Sequence, residues 1–524
     1  MKKNYLPLLM MVPILFSCGQ NNELIFVPYD KEINPLSFKE EDNSLYYRHQ
    51  EVNPLVTKLG NFHSFQEFLY DSKDNRHHVL ANPLGERKML VLPIRFTNSS
   101  DDIPLEKKTI YLQNAFFGDE KTTTGQSVAS FYHQSSYGQL KISGEVAPWY
   151  TLNYRSDQWR TISGDQTSTS RKITVEALNN LRNNEEFDLS SFDSDKDGYI
   201  DMIYVIYDYP YNNINKDDSG EDLFWAYTDF ISENENYCGE GQVLANAYSW
   251  SSLYFSLPNK GQRVDASTYI HETGHLFGLT DYYNTKPKQL GYYYQPTGFL
   301  DMMDSNQGDH TALSKYLLNW TPPKVIKKGI NGVIKLNNFS QTGDYLLLPL
   351  NDKYDDNPFG EYLLLEYFVP SGLNKSNGLS YQDEDINGNK VIFTLPDHHG
   401  LKVYHVNTSL GYFSKYKKVG DEPKLIYPLG EEGDNDVSQY AIDFIYHNSI
   451  KSKDAETGTV LYHLLESSGQ NTFKDGLLAD NNTFFHYGES FGVNNYQDLA
   501  TKCGYTFKIV DISTKDISIE FKSL

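Results

Sequence analysis

Cysteine is scarce, with three in 524 residues, and that excludes a disulfide scaffold. Cys18 is set apart by its surroundings, so Cys238 and Cys503 are the one pair that could bridge. Long apolar runs are missing as well. No stretch beyond the first residues reaches the roughly 18 consecutive apolar positions that a permanent membrane span needs. Positive charge is in deficit: 46 Lys plus Arg stand against 69 Asp plus Glu, a formal charge of −23 at pH 7. Proteins that grip phosphate backbones carry a net or clustered positive surface, so nucleic acid is not an expected partner. No unit recurs at a fixed period. What is present is 39% hydrophobic residues and 41 Tyr, a composition that can bury a core and is not that of a disordered chain. The length leaves room for two to four domains at roughly 150 residues each.

Met1, Lys2 and Lys3 give a positive start, and residues 6–16 form an apolar stretch of signal-peptide length, too short to stay in a bilayer as a span. The sequence Leu15-Phe16-Ser17-Cys18-Gly19 resembles a bacterial lipobox. The resemblance implies that residues 1–17 are a signal peptide, that Cys18 carries lipid, and that the protein is exported to the cell envelope as an outer-membrane or cell-surface lipoprotein. Residues 18–86 are polar and irregular and read as a spacer or pro-region, whose removal would release the body from the membrane. From Lys88 to Phe96 a compact apolar run predicts a buried strand that opens the first true domain, residues 87–322. Helices are expected over 109–117, 127–136, 170–180 and 265–277, with strands at Leu140–Val146 and Met202–Tyr207. After Pro323 short strands take over: Tyr345–Pro349, 362–368, 401–406, and Tyr505–Ile512 paired with 517–521. The expected class is α+β, ending in a β-rich, sandwich-like domain at 323–524.

The chemistry concentrates in His271-Glu272-Thr273-Gly274-His275. On a helix, a spacing of four puts both imidazoles on one face a turn apart, where they can share a metal ion. Glu272, beside the first ligand, can reach a water at that ion without ligating it, as a hydrolytic zinc site requires. Gly278 can take a positive φ and turn the chain, which returns Asp281 as a third ligand. A structural zinc would close with four protein ligands, mostly Cys, and no Cys is near in sequence. A second group, Asp193, Asp195, Asp197 and Asp201 around Gly198, places oxygens at alternate positions and can wrap calcium, although Tyr204 stands where an EF-hand needs its bidentate Glu.

The pattern HExxHxxGxxD resembles that of zinc metallopeptidases that bend at a glycine, and the chain is similar to the immune inhibitor A family. The likeness extends to Ser127-Val128-Ala129-Ser130-Phe131-Tyr132, to Ser136-Tyr137-Gly138-Gln139-Leu140, to Gly298-Phe299-Leu300-Asp301-Met302-Met303-Asp304, and to Asp309-His310 and Ser314 through Trp320. It implies a metzincin-like zinc peptidase domain with a methionine turn, Met303 lying beneath the metal, and it supports calcium in the acidic loop. No Tyr stands two residues after Met303, so Tyr282, Tyr283 and His310 are candidates for assisting the transition state. The expected function is a lipid-anchored zinc metalloendopeptidase, with Glu272 as general base, acting on extracellular proteins or peptides. The alternative is a catalytically inactive, calcium-stabilised surface protein that binds a glycan or a host protein.

Overall fold

The computed structural model describes residues 35–50, 80–211, 224–231, 242–258, 263–279, 281–283, 295–350, 354, 356, 358, 361–378, 380–384, 390–407, 415–419, 422–426 and 462–524. The expected signal peptide at residues 1–17, Cys18 and Cys238 lie outside them. Cys503 is a buried free thiol. The class is α+β. The chain gathers into two compact units, and among the described residues one holds 80–278 and the other 35–50 and 279–524. The expected limits at 86/87 and 322/323 mark changes of sequence character and partition the chain differently.

In the first unit a six-stranded sheet runs Leu140–Val146, Gly85–Arg95, Met202–Tyr207, Ala247–Ser252, Tyr227–Phe230, with Tyr150–Thr151 beside the end of Gly85–Arg95. All pairings are parallel except that of the edge strand Tyr227–Phe230. Parallel strands are covered on both faces, which is why every residue of Met202–Tyr207 is buried. Successive side chains alternate between the faces. Leu90, Leu92, Ile94, Ile203 and Val205 share a core with Ile173, Leu178 and Leu181 of the helix Gln166–Arg182. Tyr204 meets Phe116 of the helix Leu105–Phe117 at 4.8 Å and Tyr269 at 5.3 Å, and Phe116 stacks on Tyr269 at 5.0 Å. Those three rings seat the helix Ser267–Leu276.

In the second unit the central sheet has the order Glu41–Asp42, Tyr46–Arg48, Lys324–Ile326, Tyr345–Pro349, Glu361–Phe368, Gly400–Asn407, Tyr462–Leu465. A four-stranded sheet, Asn331–Asn337, Asp516–Ser523, Tyr505–Ile512, Ser490–Phe491, faces it across one apolar core. Leu346, Leu363, Leu365 and Val403 from one sheet meet Ile334, Phe507, Ile519 and Phe521 from the other. This is the expected sandwich, and its last hairpin pairs Phe507 with Phe521 and Ile509 with Ile519. Helix ends shift where capping decides them. The helix expected at 170–180 begins at Gln166 because Asp165 accepts the Ser168 N–H at 2.8 Å.

The polar region before residue 87 is not irregular throughout, which corrects that expectation. Asn43 accepts the N–H groups of Leu45 and Tyr46 and turns the chain into a hairpin, and Tyr46–Arg48 joins Lys324–Ile326 with Tyr47 opposite Val325. Three residues are too few to show alternation, and the pairing partner lies far away in sequence. The strand Gly85–Arg95 likewise starts before Lys88, where Gly85 and Glu86 pair with Leu140 and Lys141. Arg48 forms an ion pair with Asp344 at 3.0 Å, and Tyr47 donates to Asp356 at 2.7 Å. A chain carrying an inserted protease site between residues 50 and 80 is therefore expected to keep its N-terminal piece bound after cutting, read by native size exclusion. Arg48→Ala removes a charged hydrogen bond worth about 2 kcal/mol, so retention should weaken roughly thirtyfold; release of the piece from the unmodified chain would contradict this.

Candidate metal centre

The helix Ser267–Leu276 starts where the strand Val264–Asp265 ends. Asp265 accepts the Ser267 backbone N–H at 2.8 Å and its hydroxyl at 2.6 Å, giving the first turn an acceptor it would otherwise lack. Burial pushes the Asp265 carboxyl up. Three bonds set the roll of the helix: Tyr132 donates to the Ile270 carbonyl at 2.8 Å, Tyr269 to the Ser252 carbonyl at 2.8 Å, and Ser249 to the Glu272 carbonyl at 3.1 Å. Rolled this way, His271 and Glu272 are buried at 4% and 6% exposure, and His275 is partly exposed. The imidazoles stand 5.0 Å apart, centroid to centroid, with their planes at 81°. Burial first, and the Glu272 charge second, push the Tyr204 phenol well above its ordinary range.

At the end of the helix the Gly278 N–H donates to the His275 carbonyl at 3.0 Å, and Gly278 takes φ +88°. That left-handed conformation is open to glycine without strain. Asp281 follows, and ligand atoms of His271, His275 and Asp281 all lie within 4.8 Å of one another. Two imidazole nitrogens and a carboxylate oxygen are a zinc donor set, and three protein ligands leave a fourth position for water or substrate.

Gly298 (φ +67°) and Phe299 (φ +74°) turn the chain into the short helix Met302–Ser305, in which Met303 is fully buried. Asp301 caps it by accepting the Met303 N–H at 2.8 Å. The same buried carboxylate accepts the Thr311 N–H at 2.7 Å and the Ser314 hydroxyl at 3.1 Å, and His310 Nδ1 stands 3.7 Å away. Burial alone would raise the Asp301 pKa; the His310, Met303 and Thr311 donors outweigh it and hold the carboxyl below its ordinary range. Asp304, also buried, is pushed up to about 7 by burial despite donors from Thr297 and Phe299. Of the three residues expected to assist the transition state, Tyr282 is buried with its hydroxyl 2.9 Å from Ser314 Oγ, His310 is buried beside Asp301 and Trp320, and Tyr283 is 9% exposed. The joining roles of Asp301 and Ser314 had no signal in the sequence, because their partners lie 10 to 32 residues away.

The acidic loop brings Asp193, Asp195 and Asp197 together within 4.8 Å. Asp201 is not in that group. Its carboxylate instead accepts the N–H groups of Lys88 at 2.8 Å and Ser194 at 3.0 Å, which fastens the loop to the strand Gly85–Arg95. Lys196 (φ +64°) and Gly198 (φ +92°) make the turn. The Asp197 carboxyl is raised to about 6, by desolvation first and then by Asp195, Asp193 and Asp201, against the Tyr199 N–H.

Residues 105–312 match the family model for the immune inhibitor A peptidase M6 catalytic domain. A search of curated proteins finds no match. The matched domain is that of a metallopeptidase, and it contains the motif helix, the acidic loop and the turn around Met303.

The acidic loop has a pH signature. Asp197 binds its proton more tightly in the folded loop than in the unfolded chain, so the stability it contributes is fully present below about 3.9 and is lost as pH rises through about 6. With divalent cations chelated, raising the pH from 4 to 7 is expected to lower the melting temperature more in the unmodified chain than in Asp197→Asn. Equal slopes in the two would show that the loop carries no such strain.

Proposed function

We propose that this chain, which over residues 105–312 belongs to the immune inhibitor A peptidase family, is a zinc metalloendopeptidase that hydrolyses peptide bonds of extracellular proteins. The observation that carries the reading is the convergence of His271, His275 and Asp281 at the end of a buried helix that also bears Glu272. Zinc held there would supply Lewis acidity, lowering the pKa of a water toward about 7 and polarising the scissile carbonyl. Glu272 accepts the proton of the attacking water and delivers it to the leaving amine. Its backbone carbonyl is bound by Ser249 of the strand Ala247–Ser252, so the base sits on a helix tied to the sheet. The edge strand Tyr227–Phe230 lies next to that strand, and Thr228 makes a second, longer contact with the same carbonyl at 3.4 Å.

Asp193, Asp195 and Asp197 are proposed to bind calcium, with Asp201 bracing the loop; a divalent cation there relieves repulsion among three close carboxylates. Met1 to Lys3, the apolar residues 6–16 and Cys18 support export and a lipid tether to the outer membrane or cell surface. An inactive surface binding protein would have no use for Glu272.

Glu272→Gln is expected to keep zinc, measured by metal analysis after gel filtration, and to lose about a thousandfold in casein cleavage. Asp281→Ala should lower zinc affinity at least tenfold, measured by chelator competition. A Glu272→Gln protein that cleaves casein at the unmodified rate would sink the mechanism. Millimolar calcium at pH 7 should raise the melting temperature by a few degrees, and Asp193→Asn with Asp197→Asn should abolish the rise.

A further inference from the structure

We infer that Asp301 is a positioning residue for the third metal ligand, holding Asp281 in place through Ser314 and Tyr282. The inference rests on the reading of Asp281 as a ligand and names what fixes it. Helix geometry places His271 and His275, but Asp281 lies beyond the left-handed Gly278, so its position depends on what holds the chain after the turn.

The hold is at Tyr282. Its backbone N–H donates to the Met303 carbonyl at 3.0 Å. That N–H belongs to the peptide plane whose other end is the Asp281 Cα, so fixing the plane fixes the point from which the Asp281 side chain leaves. At its far end the Tyr282 hydroxyl lies 2.9 Å from Ser314 Oγ. The proton order of this bond follows from Asp301. A carboxylate only accepts, so the single hydroxyl proton of Ser314 is committed to Asp301 Oδ2 at 3.1 Å, and Tyr282 must donate to Ser314. Asp301 also holds the backbone that Tyr282 docks on, since it accepts the Met303 N–H. The Tyr282 ring is gripped edge-on by Tyr462 at 5.1 Å; the Tyr462 hydroxyl is 2.7 Å from Thr311 Oγ1, and the Thr311 N–H is itself on Asp301. Backbone, ring and hydroxyl of the residue next to Asp281 thus all lead to one buried carboxylate.

The test measures zinc dissociation constants of the full chain by chelator competition, together with melting temperatures of the metal-free protein. Tyr282→Phe and Ser314→Ala should each weaken zinc binding about tenfold, the loss expected when support of a ligand is removed. The double variant should be no weaker than either single one, because both break one chain of bonds, and Ser314→Thr, which restores a hydroxyl, should recover most of the affinity. Thr297→Val is the control, since it removes a buried hydrogen bond to Asp304 on the same turn but has no bond to Tyr282. It should lower the melting temperature and leave zinc affinity unchanged. Asp301→Asn should cost the most affinity; where it fails to fold, the Tyr282 and Ser314 variants decide. Unchanged zinc affinity in Tyr282→Phe and Ser314→Ala would overturn the inference, as would an equal loss in Thr297→Val. A fall in kcat for Tyr282→Phe with zinc affinity intact would make the phenol a catalytic group and overturn it too. If the unmodified chain holds no zinc, the functional reading fails first and the inference falls with it.

Discussion

A helix can offer two ligands to one ion but not a third from its own next turns, because the chain climbs 1.5 Å per residue away from them. Everything at this site depends on the chain being brought back. Gly278 does this by taking a backbone conformation that a side chain would strain, and its N–H closes the last turn on the His275 carbonyl, so the helix ends at Leu276, one residue past the second histidine. The glycine permits the return but does not specify where the returning carboxylate stops. That requires a frame, and the structure supplies it with buried polar groups.

The frame is expensive to build. Asp301, Asp304, Asp309, Lys315, Glu366 and Lys402 are all buried in the same compact unit. Isolated, any of these charges would cost several kcal/mol. They are paired or multiply bonded instead: Lys315 with Asp309 at 2.6 Å, Lys402 with Glu366 at 3.2 Å, and Glu366 with the Ala312 N–H at 2.9 Å. Such networks add little net stability over apolar packing, and what they provide is one arrangement in place of several. Asp301 and Asp304 lie three residues apart on one turn and are driven in opposite directions, the first held ionised by its donors and the second raised to about 7 by burial. Protonation is thereby favoured at Asp304 and disfavoured at Asp301, whose carboxylate accepts from Ser314 and Thr311.

These differences explain which parts of the fold were legible in the sequence. Met202–Tyr207 and Tyr345–Pro349 are apolar runs of strand length, and they fall where expected because burial on both faces leaves no other reading. The helix carrying His271 and His275 was legible because periodicity, a glycine stop and ligand spacing all coincide within eleven residues. Asp301 was visible only as a letter in a likeness, because its role lies in bonds to Thr311 and Ser314 that spacing does not encode. Asp201 stands at a ligand's interval from Asp197, and the structure adds what the interval does not encode, that its carboxylate accepts the N–H groups of Lys88 and Ser194. Interval alone cannot tell a ligand from a brace.

The hairpin Glu41–Asp42 and Tyr46–Arg48 changes what cutting the N-terminal region can do. If the region were a loose spacer, a cut anywhere between Cys18 and the strand Gly85–Arg95 would free the body from a lipid at Cys18. The strand Tyr46–Arg48 is instead the second strand of the central sheet, hydrogen-bonded to Lys324–Ile326, with Arg48 bound to Asp344 and Lys327 to Asp42. A cut after residue 50 leaves those bonds intact, so the N-terminal piece stays bound to the body through them. A cut between Cys18 and residue 41 removes Cys18 and leaves the sheet whole. On the proposal that Cys18 carries lipid, the position of a cut relative to this hairpin therefore decides between an anchored and a released form.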